Sequence, residues 1–302
     1  MKTIQKTAIA LAASSVFATA AYAQTAPAPA PEVSPITANV TVASSYAYRG
    51  LTQSNYRPAI QGGFDYAHES GFYIGNWNSS ISWISDGNPQ GANTSQSVSA
   101  PIEMDFYAGY KKELIGEGFA TDIGVLQYYY PTTNFPNSSG TNANVTSNPA
   151  TRQLNGVNPN TTEAYLAQNF TFGSVSGFAK VSYALTNLFG IYNSKGSFYP
   201  DLTANYDTGL YGVTLNAHVG YQYVPNNYTQ TGTTNSARGQ TFNMSYVDYK
   251  LGLTKDFGGG LSGSVAYVGT NIGKYGTTYA YTTANGGSAG KGTAIATLTK
   301  TF

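Results

Sequence analysis

The sequence predicts an all-β chain: a transmembrane antiparallel up-and-down β-barrel of about 12 strands, with short periplasmic turns and long extracellular loops. Three observations predict it. The chain closes on an alternating segment that stops at Phe302, the connections between segments alternate short and long, and aromatic residues gather near both ends of the segments.

The amino terminus reads as an export signal. Lys2 and Lys6 are basic, Ala8 to Ala20 is a short apolar run, and Ala21-Tyr22-Ala23 gives a small-x-small cleavage pattern. Residues 1–23 are therefore expected to be a signal peptide, with Gln24 first in the mature chain. The alternative, an uncleaved anchor, is disfavoured because the run is too short. No later run approaches the ~20 apolar residues of a membrane-spanning helix. Export without such a helix leaves periplasm, outer membrane or medium. Residues 24–38 (TAPAPAPEVSP at their centre) are Ala/Pro-rich, and such segments are extended and semi-rigid. They read as a periplasmic leader before a barrel over 39–302.

Composition excludes several classes. The chain has no cysteine, so neither disulfides nor thiolate metal sites are available. Its 15 basic and 14 acidic side chains become 13 and 14 once Lys2 and Lys6 leave with the signal. Nucleic-acid binding would demand a basic field, and none is present. Only 10% of residues are charged, while Tyr (26) and Gly (34) are abundant, as suits strands joined by polar loops.

The mature chain divides into alternating segments at 39–49, 59–67, 71–83, 101–111, 118–130 and 162–172, then 174–185, 197–207, 211–223, 244–257, 260–271 and 293–302. Most reach the ~9–11 residues of a tilted membrane strand. His68-Glu69-Ser70, Lys112 to Glu117, Gly173, Thr208-Gly209-Leu210 and Gly258-Gly259 are the short connections. Those at 84–100, 131–161, 186–196, 224–243 and 272–292 are long, and 50–58 is moderate. A soluble sandwich has no reason to sort its loops this way. In the closing segment Ala294, Ala296, Leu298, Lys300 and Phe302 share one face, and the threonines with Ile295 share the other. Phe302 is read as the assembly signal. Lys300 stands where an apolar residue is usual, and its ammonium can snorkel to water.

Aromatics suggest two girdles. Tyr46, Tyr48, Trp83, Tyr129, Tyr183, Tyr221, Tyr223 and Tyr267 fall near the outer ends. Phe64, Tyr66, Tyr73, Phe106, Tyr110, Phe119, Phe170, Tyr206, Tyr211, Phe257 and Phe302 fall near the inner ends. Amphipathic rings favour the membrane interface. Ordinary core packing would explain the number of aromatics but not their two-ended clustering.

Alternation also assigns faces. Ile102, Met104, Phe106, Ala108 and Tyr110 form one row, and Glu103, Asp105, Tyr107, Gly109 and Lys111 the other. A charge facing lipid is costly, so the carboxylates are expected to face the lumen. The same logic turns Arg49, Asp65, Asp122, Glu163, Lys180, Asp201, His218, Asp248 and Lys250 inward, giving seven acids against four bases with His218 counted. Either these groups line a water-filled path with a weak cation preference, or they pair and plug a narrow barrel. Twelve strands lie between barrels filled by side chains and wide pores.

Chemistry other than passage finds little support. His68 adjoins a tight turn, and His218 sits among Asn216 and Gln222 on an inward row. No Ser-His-acid arrangement stands out. Two histidines without cysteine make zinc a poor fit, and Asp86-Gly87-Asn88 lacks a full calcium ligand set. The glycines at 258–260 precede no helix that would cradle phosphate. No cofactor, metal or enzymatic activity is expected.

The blocks Ser45-Tyr-Ala-Tyr-Arg-Gly-Leu-Thr-Gln-Ser54 and Pro58-Ala-Ile-Gln-Gly-Gly-Phe-Asp-Tyr-Ala-His-Glu-Ser-Gly-Phe-Tyr73 resemble the TorF-type porin family. So do Glu103-Met-Asp-Phe-Tyr-Ala-Gly-Tyr110, Tyr128-Tyr-Tyr-Pro131 and the closing strand, so that the resemblance covers nearly the whole mature chain. It implies an outer-membrane barrel firmly and transport by analogy. Arg49, Gln53, Gln61, Asp65, Glu103 and Asp105 are the functional candidates it carries over. The expected partners are outer-membrane lipid and lipopolysaccharide, the barrel-assembly machinery and small hydrophilic solutes. A closed barrel displaying its Asn/Thr-rich loops for adhesion or protein contact is the other reading. An outer-membrane hydrolase is a third.

Overall fold

The computed structural model describes residues 34–87, 98–133, 158–191, 193–225, 228–229 and 241–302. The expected signal peptide, most of the leader, Asn88 and much of the loops 131–161 and 224–243 lie outside them. In chain order the strands are β1 (Ile36–Ala43), β2 (Ala47–Tyr48), β3 (Leu51–Thr52), β4 (Ala59–Ala67), β5 (Phe72–Ser80), β6 (Ile102–Gly116) and β7 (Phe119–Tyr129). Then come β8 (Thr161–Phe172), β9 (Val175–Ala184), β10 (Phe198–Asp207), β11 (Val213–Gln222), β12 (Tyr228–Thr229) and β13 (Thr241–Phe242). The last are β14 (Tyr246–Gly258), β15 (Leu261–Thr270), β16 (Lys274–Tyr275), β17 (Thr278–Tyr279) and β18 (Thr293–Thr301).

Twelve of these close into one barrel in the order β1-β18-β15-β14-β11-β10-β9-β8-β7-β6-β5-β4, and the pairs β2-β3, β12-β13 and β16-β17 are small hairpins at its long-loop end. Every barrel neighbour is antiparallel, and β1 closes the ring by pairing Asn39 with Thr301 and Ala43 with Thr297. Closure leaves no open sheet edge, so every strand finds backbone partners on both sides. The short turns use backbone that only glycine adopts cheaply. Gly258, Gly259 and Gly260 all have positive φ (82°, 59° and 77°), which lets β14 reverse into β15 within two residues.

The pleat sorts side chains as expected. Along β6, Glu103, Asp105 and Tyr107 are buried inside, while Phe106 and Ala108 are exposed outside. Ile60, Phe64, Phe72, Ile74, Ile123, Val125, Leu202, Leu251, Val265 and Leu298 all lie exposed on the outward rows. A soluble monomer rarely exposes so continuous an apolar surface. Phe302 faces outward, and the Lys300 ammonium turns back 2.5 Å to the Gly259 carbonyl at the short-turn rim.

Three expectations need correction. The first strand ends at Ala43, not at residue 49, because the chain then turns inward. Tyr46 and Trp83 are buried inside the barrel and Tyr48 packs with them, so none of the three belongs to an outer girdle. Tyr73 also points inward, where its hydroxyl donates 2.6 Å to Asp122. Trp83 lies in the one-turn helix α1 (Trp83–Gly87), in a stretch read as the end of a strand.

Candidate functional site: a hairpin across the lumen

The moderate connection after β1 is the centre of the site. Ala47–Tyr48 and Leu51–Thr52 pair as a hairpin whose two-residue turn is Arg49-Gly50. Both turn residues have positive φ, 46° and 73°, the geometry of the tight turn that matches strand twist. Glycine takes it freely. Arginine does so at a cost of about 1–2 kcal/mol, which persists only where surrounding contacts fix it.

Those contacts reach the far wall. Arg49 is buried, and its Nη1 and Nη2 donate to Glu163 Oε1 and Oε2 at 3.0 and 2.7 Å. Nη1 also donates to Gln222 Oε1 at 2.7 Å. The guanidinium lies 4.2 Å from the Tyr199 ring centre and 5.0 Å from that of Tyr48. Glu163, Tyr199 and Gln222 belong to β8, β10 and β11, across the ring from the β1–β4 pair that supplies the hairpin. Gly50 packs so closely on β14 that an added Cβ would stand 2.7 Å from the Asp248 Cβ.

The hairpin shuts one half of the lumen. Tyr46 donates to Glu103 at 2.5 Å, Tyr130 donates to the other Glu103 oxygen at 2.6 Å, and Tyr48 and Tyr128 share a hydrogen bond. Tyr46 also meets Trp77 edge-on at 5.5 Å. Around them Trp83, Ile84, Tyr107, Leu126 and Tyr165 complete an apolar cluster. A second cluster of Leu51, Leu188, Phe242, Met244, Tyr246 and Tyr281 packs on the other flank of the hairpin.

The acids expected to form a water-facing field mostly lie in the closed half. Glu103 and Asp105 are 2% and 0% exposed. Glu163 is held by Arg49, Asp122 by Tyr73, and Asp65 accepts from Tyr107 at 2.5 Å. Gln53 was expected to line the pore, but its amide donates 2.9 Å to the Leu51 carbonyl and braces the hairpin. Gln61 does face the lumen and donates 3.3 Å to Ser79. Asp86 in α1 pairs with Arg57 and accepts from Asn55, ties that hold α1 to the same loop.

On the facing wall, Lys180 stands 3.5 Å from Asp201. His218 Nδ1 is 2.9 Å from Thr203 Oγ1, and Nε2 is 3.0 Å from both Asp248 Oδ2 and the Tyr199 hydroxyl. This resembles a hydroxyl–imidazole–carboxylate relay. Tyr199 also donates to Asp248 at 2.8 Å, so the group closes on itself as a wall network.

The other half stays open. A narrow cavity, continuous with solvent, runs beside the hairpin along β10, β11, β14, β15, β18, β1 and β4. Gln61, Asn205, Asn216, Thr254, Ser264 and Thr297 line it, with Lys250 the one charged side chain in its wall among the described residues. The lining groups bond to one another: Asn216 to Asn205 at 2.8 Å, Thr254 to Asn216 at 2.7 Å, Ser264 to Thr297 at 2.7 Å. Sequence alone missed this path. The small hydroxylated and amide residues on alternate positions were its signal, overshadowed by the charges.

A closed antiparallel barrel, apolar outside and polar within, defines a membrane-spanning barrel protein. The chain belongs to the family described as a bacterial protein of unknown function (Gcw_chp), whose sequence profile matches residues 26–302. No curated protein matches the sequence. Among solved structures it is similar to a KdgM porin (8% identity, TM-score 0.45, 88% of this chain and 98% of that one). It is also similar to a NanC porin (10% identity, TM-score 0.47, 88% and 98%) and to OprD of Pseudomonas aeruginosa (10% identity, TM-score 0.38, 90% and 68%).

Proposed function

We propose that the protein is an outer-membrane channel for passive diffusion of small hydrophilic solutes, exported through a cleaved signal peptide at 1–23 and assembled through Phe302. The observation that carries this reading is the solvent-continuous, hydroxyl- and amide-lined cavity left beside the hairpin. The apolar outward rows support residence in a bilayer, and the resemblance to TorF-type porins points the same way. Weak cation preference would require Glu103 and Asp105 to meet the passing ion, and their burial argues against that role. Single-channel recording of the folded protein in a planar bilayer tests the proposal: discrete steps are expected, and a folded but silent barrel would overturn it.

The two apolar clusters flanking the hairpin favour a second reading, a closed barrel that displays its outer loops for adhesion or protein contact. A silent barrel whose loop deletions abolish partner binding would fit that reading instead. An enzymatic role finds less support. His218, the one histidine in the lumen, is bonded on both ring nitrogens by its own wall.

A further inference from the structure

We propose that the Ala47–Thr52 hairpin is the constriction of this channel, that the Arg49–Glu163 pair sets its size limit, and that the solutes admitted are small, uncharged hydrogen-bonding molecules. This rests on the channel reading above and deepens it.

The hairpin is rooted at β1 and pinned at its tip to β8, so it divides the lumen instead of hanging from its mouth. The tip is the only part of the hairpin carrying a charge, and that charge is spent on Glu163 and Gln222. A two-pronged guanidinium–carboxylate pair fixes direction as well as distance. The position of the hairpin, and with it the width of the remaining gap, therefore depends on that pair.

The chemistry of the gap chooses the solute. Asn205, Asn216, Thr254, Ser264 and Thr297 offer neutral donors and acceptors that can replace the water around a sugar-like or polyol-like molecule. They cannot repay the dehydration of a full charge. The strong fields of the lumen are turned elsewhere, Glu103 to two tyrosines and Glu163 to Arg49, and the charge of Lys250 in the cavity wall is opposed by the neighbouring Asp248.

The test is swelling of liposomes holding the full mature barrel, in arabinose, glucose, sucrose and raffinose, and in glucosamine and glucuronate as charged molecules near the size of glucose. Two variants accompany the wild type: R49Q/E163Q, and a replacement of Ala47–Thr52 by two glycines. Folding of each is checked by resistance to room-temperature detergent. The wild type is expected to admit arabinose and glucose, to exclude raffinose, and to admit glucose faster than either charged sugar. At least one folded variant should admit sucrose about tenfold faster than the wild type does. Folded variants with the wild-type size limit would overturn the role of the pair. Equal or faster entry of either charged sugar would overturn the solute class. No swelling in any sugar, by wild type or variants, would overturn the channel reading and this proposal with it.

Discussion

Arg49, at the tip of a hairpin that springs from β1, forms a buried two-pronged ion pair with Glu163 in β8, on the far side of the barrel. This link ties residues that the sequence places in a first strand over 39–49, with Arg49 facing the lumen, to the opposite wall of the barrel. It sorts the interior into a packed, tyrosine-rich half and an open half lined by hydroxyl and amide groups with Lys250.

Breaking the pair from one side leaves a buried, uncompensated charge. Arg49→Ala should therefore cost about 3–5 kcal/mol in folding stability. R49A/E163A together should cost less than the sum of the single changes, as measured by denaturant unfolding in lipid vesicles. Additive losses would show the two side chains to be uncoupled.

Gly50 should resist substitution. Its φ of 73° and the Asp248 Cβ opposite leave no room for a side chain without movement. Gly50→Ala should destabilise by about 1–2 kcal/mol from the backbone alone and raise the conductance by displacing the tip. Unaltered stability and conductance would contradict the turn geometry.

Tyr46 and Tyr130 divide the two oxygens of Glu103 between them. Each Tyr→Phe change should cost about 1–3 kcal/mol, since the carboxylate keeps its burial and loses a donor. Combining Y46F and Y130F with E103L should recover part of that loss. Unfolding midpoints of Y46F, Y130F, Y46F/Y130F and Y46F/Y130F/E103L decide the matter, and no recovery would mean that Glu103 is not the common acceptor.

The faces of the sheet can be checked with one charge. Val125 points outward near the middle of β7, so Val125→Arg should cost about 2–4 kcal/mol in a bilayer. Thr297→Arg, directed into the open half, should cost much less. Equal losses at the two positions would contradict the assignment of outside and inside.

Much of this was legible in the sequence, for a physical reason. Strand period, the cost of a charge in lipid and the glycine demand of tight turns are local rules. Segments such as 59–67 and 197–207 accordingly match β4 (Ala59–Ala67) and β10 (Phe198–Asp207) within a residue. The rule that carboxylates face inward held for Glu103, Asp105, Asp122, Glu163, Asp201 and Asp248. It did not tell which of them meet water. Tyr46, Tyr48 and Arg49 continue the alternation of β1, so local pattern could not reveal that the chain leaves the sheet at Ala43. That turn is decided by partners distant in sequence: Glu103, Tyr128, Glu163 and Gln222.

The central claim is that solutes pass through the half of the lumen lined by β14, β15 and β18. The chain has no cysteine, so single cysteines report position cleanly. Ser264 faces the cavity, and its neighbour Val265 faces outward. Single-channel current should fall when a water-soluble, charged thiol reagent reacts with S264C, and should not change for V265C under the same treatment. Steady current through S264C after confirmed labelling would contradict the account.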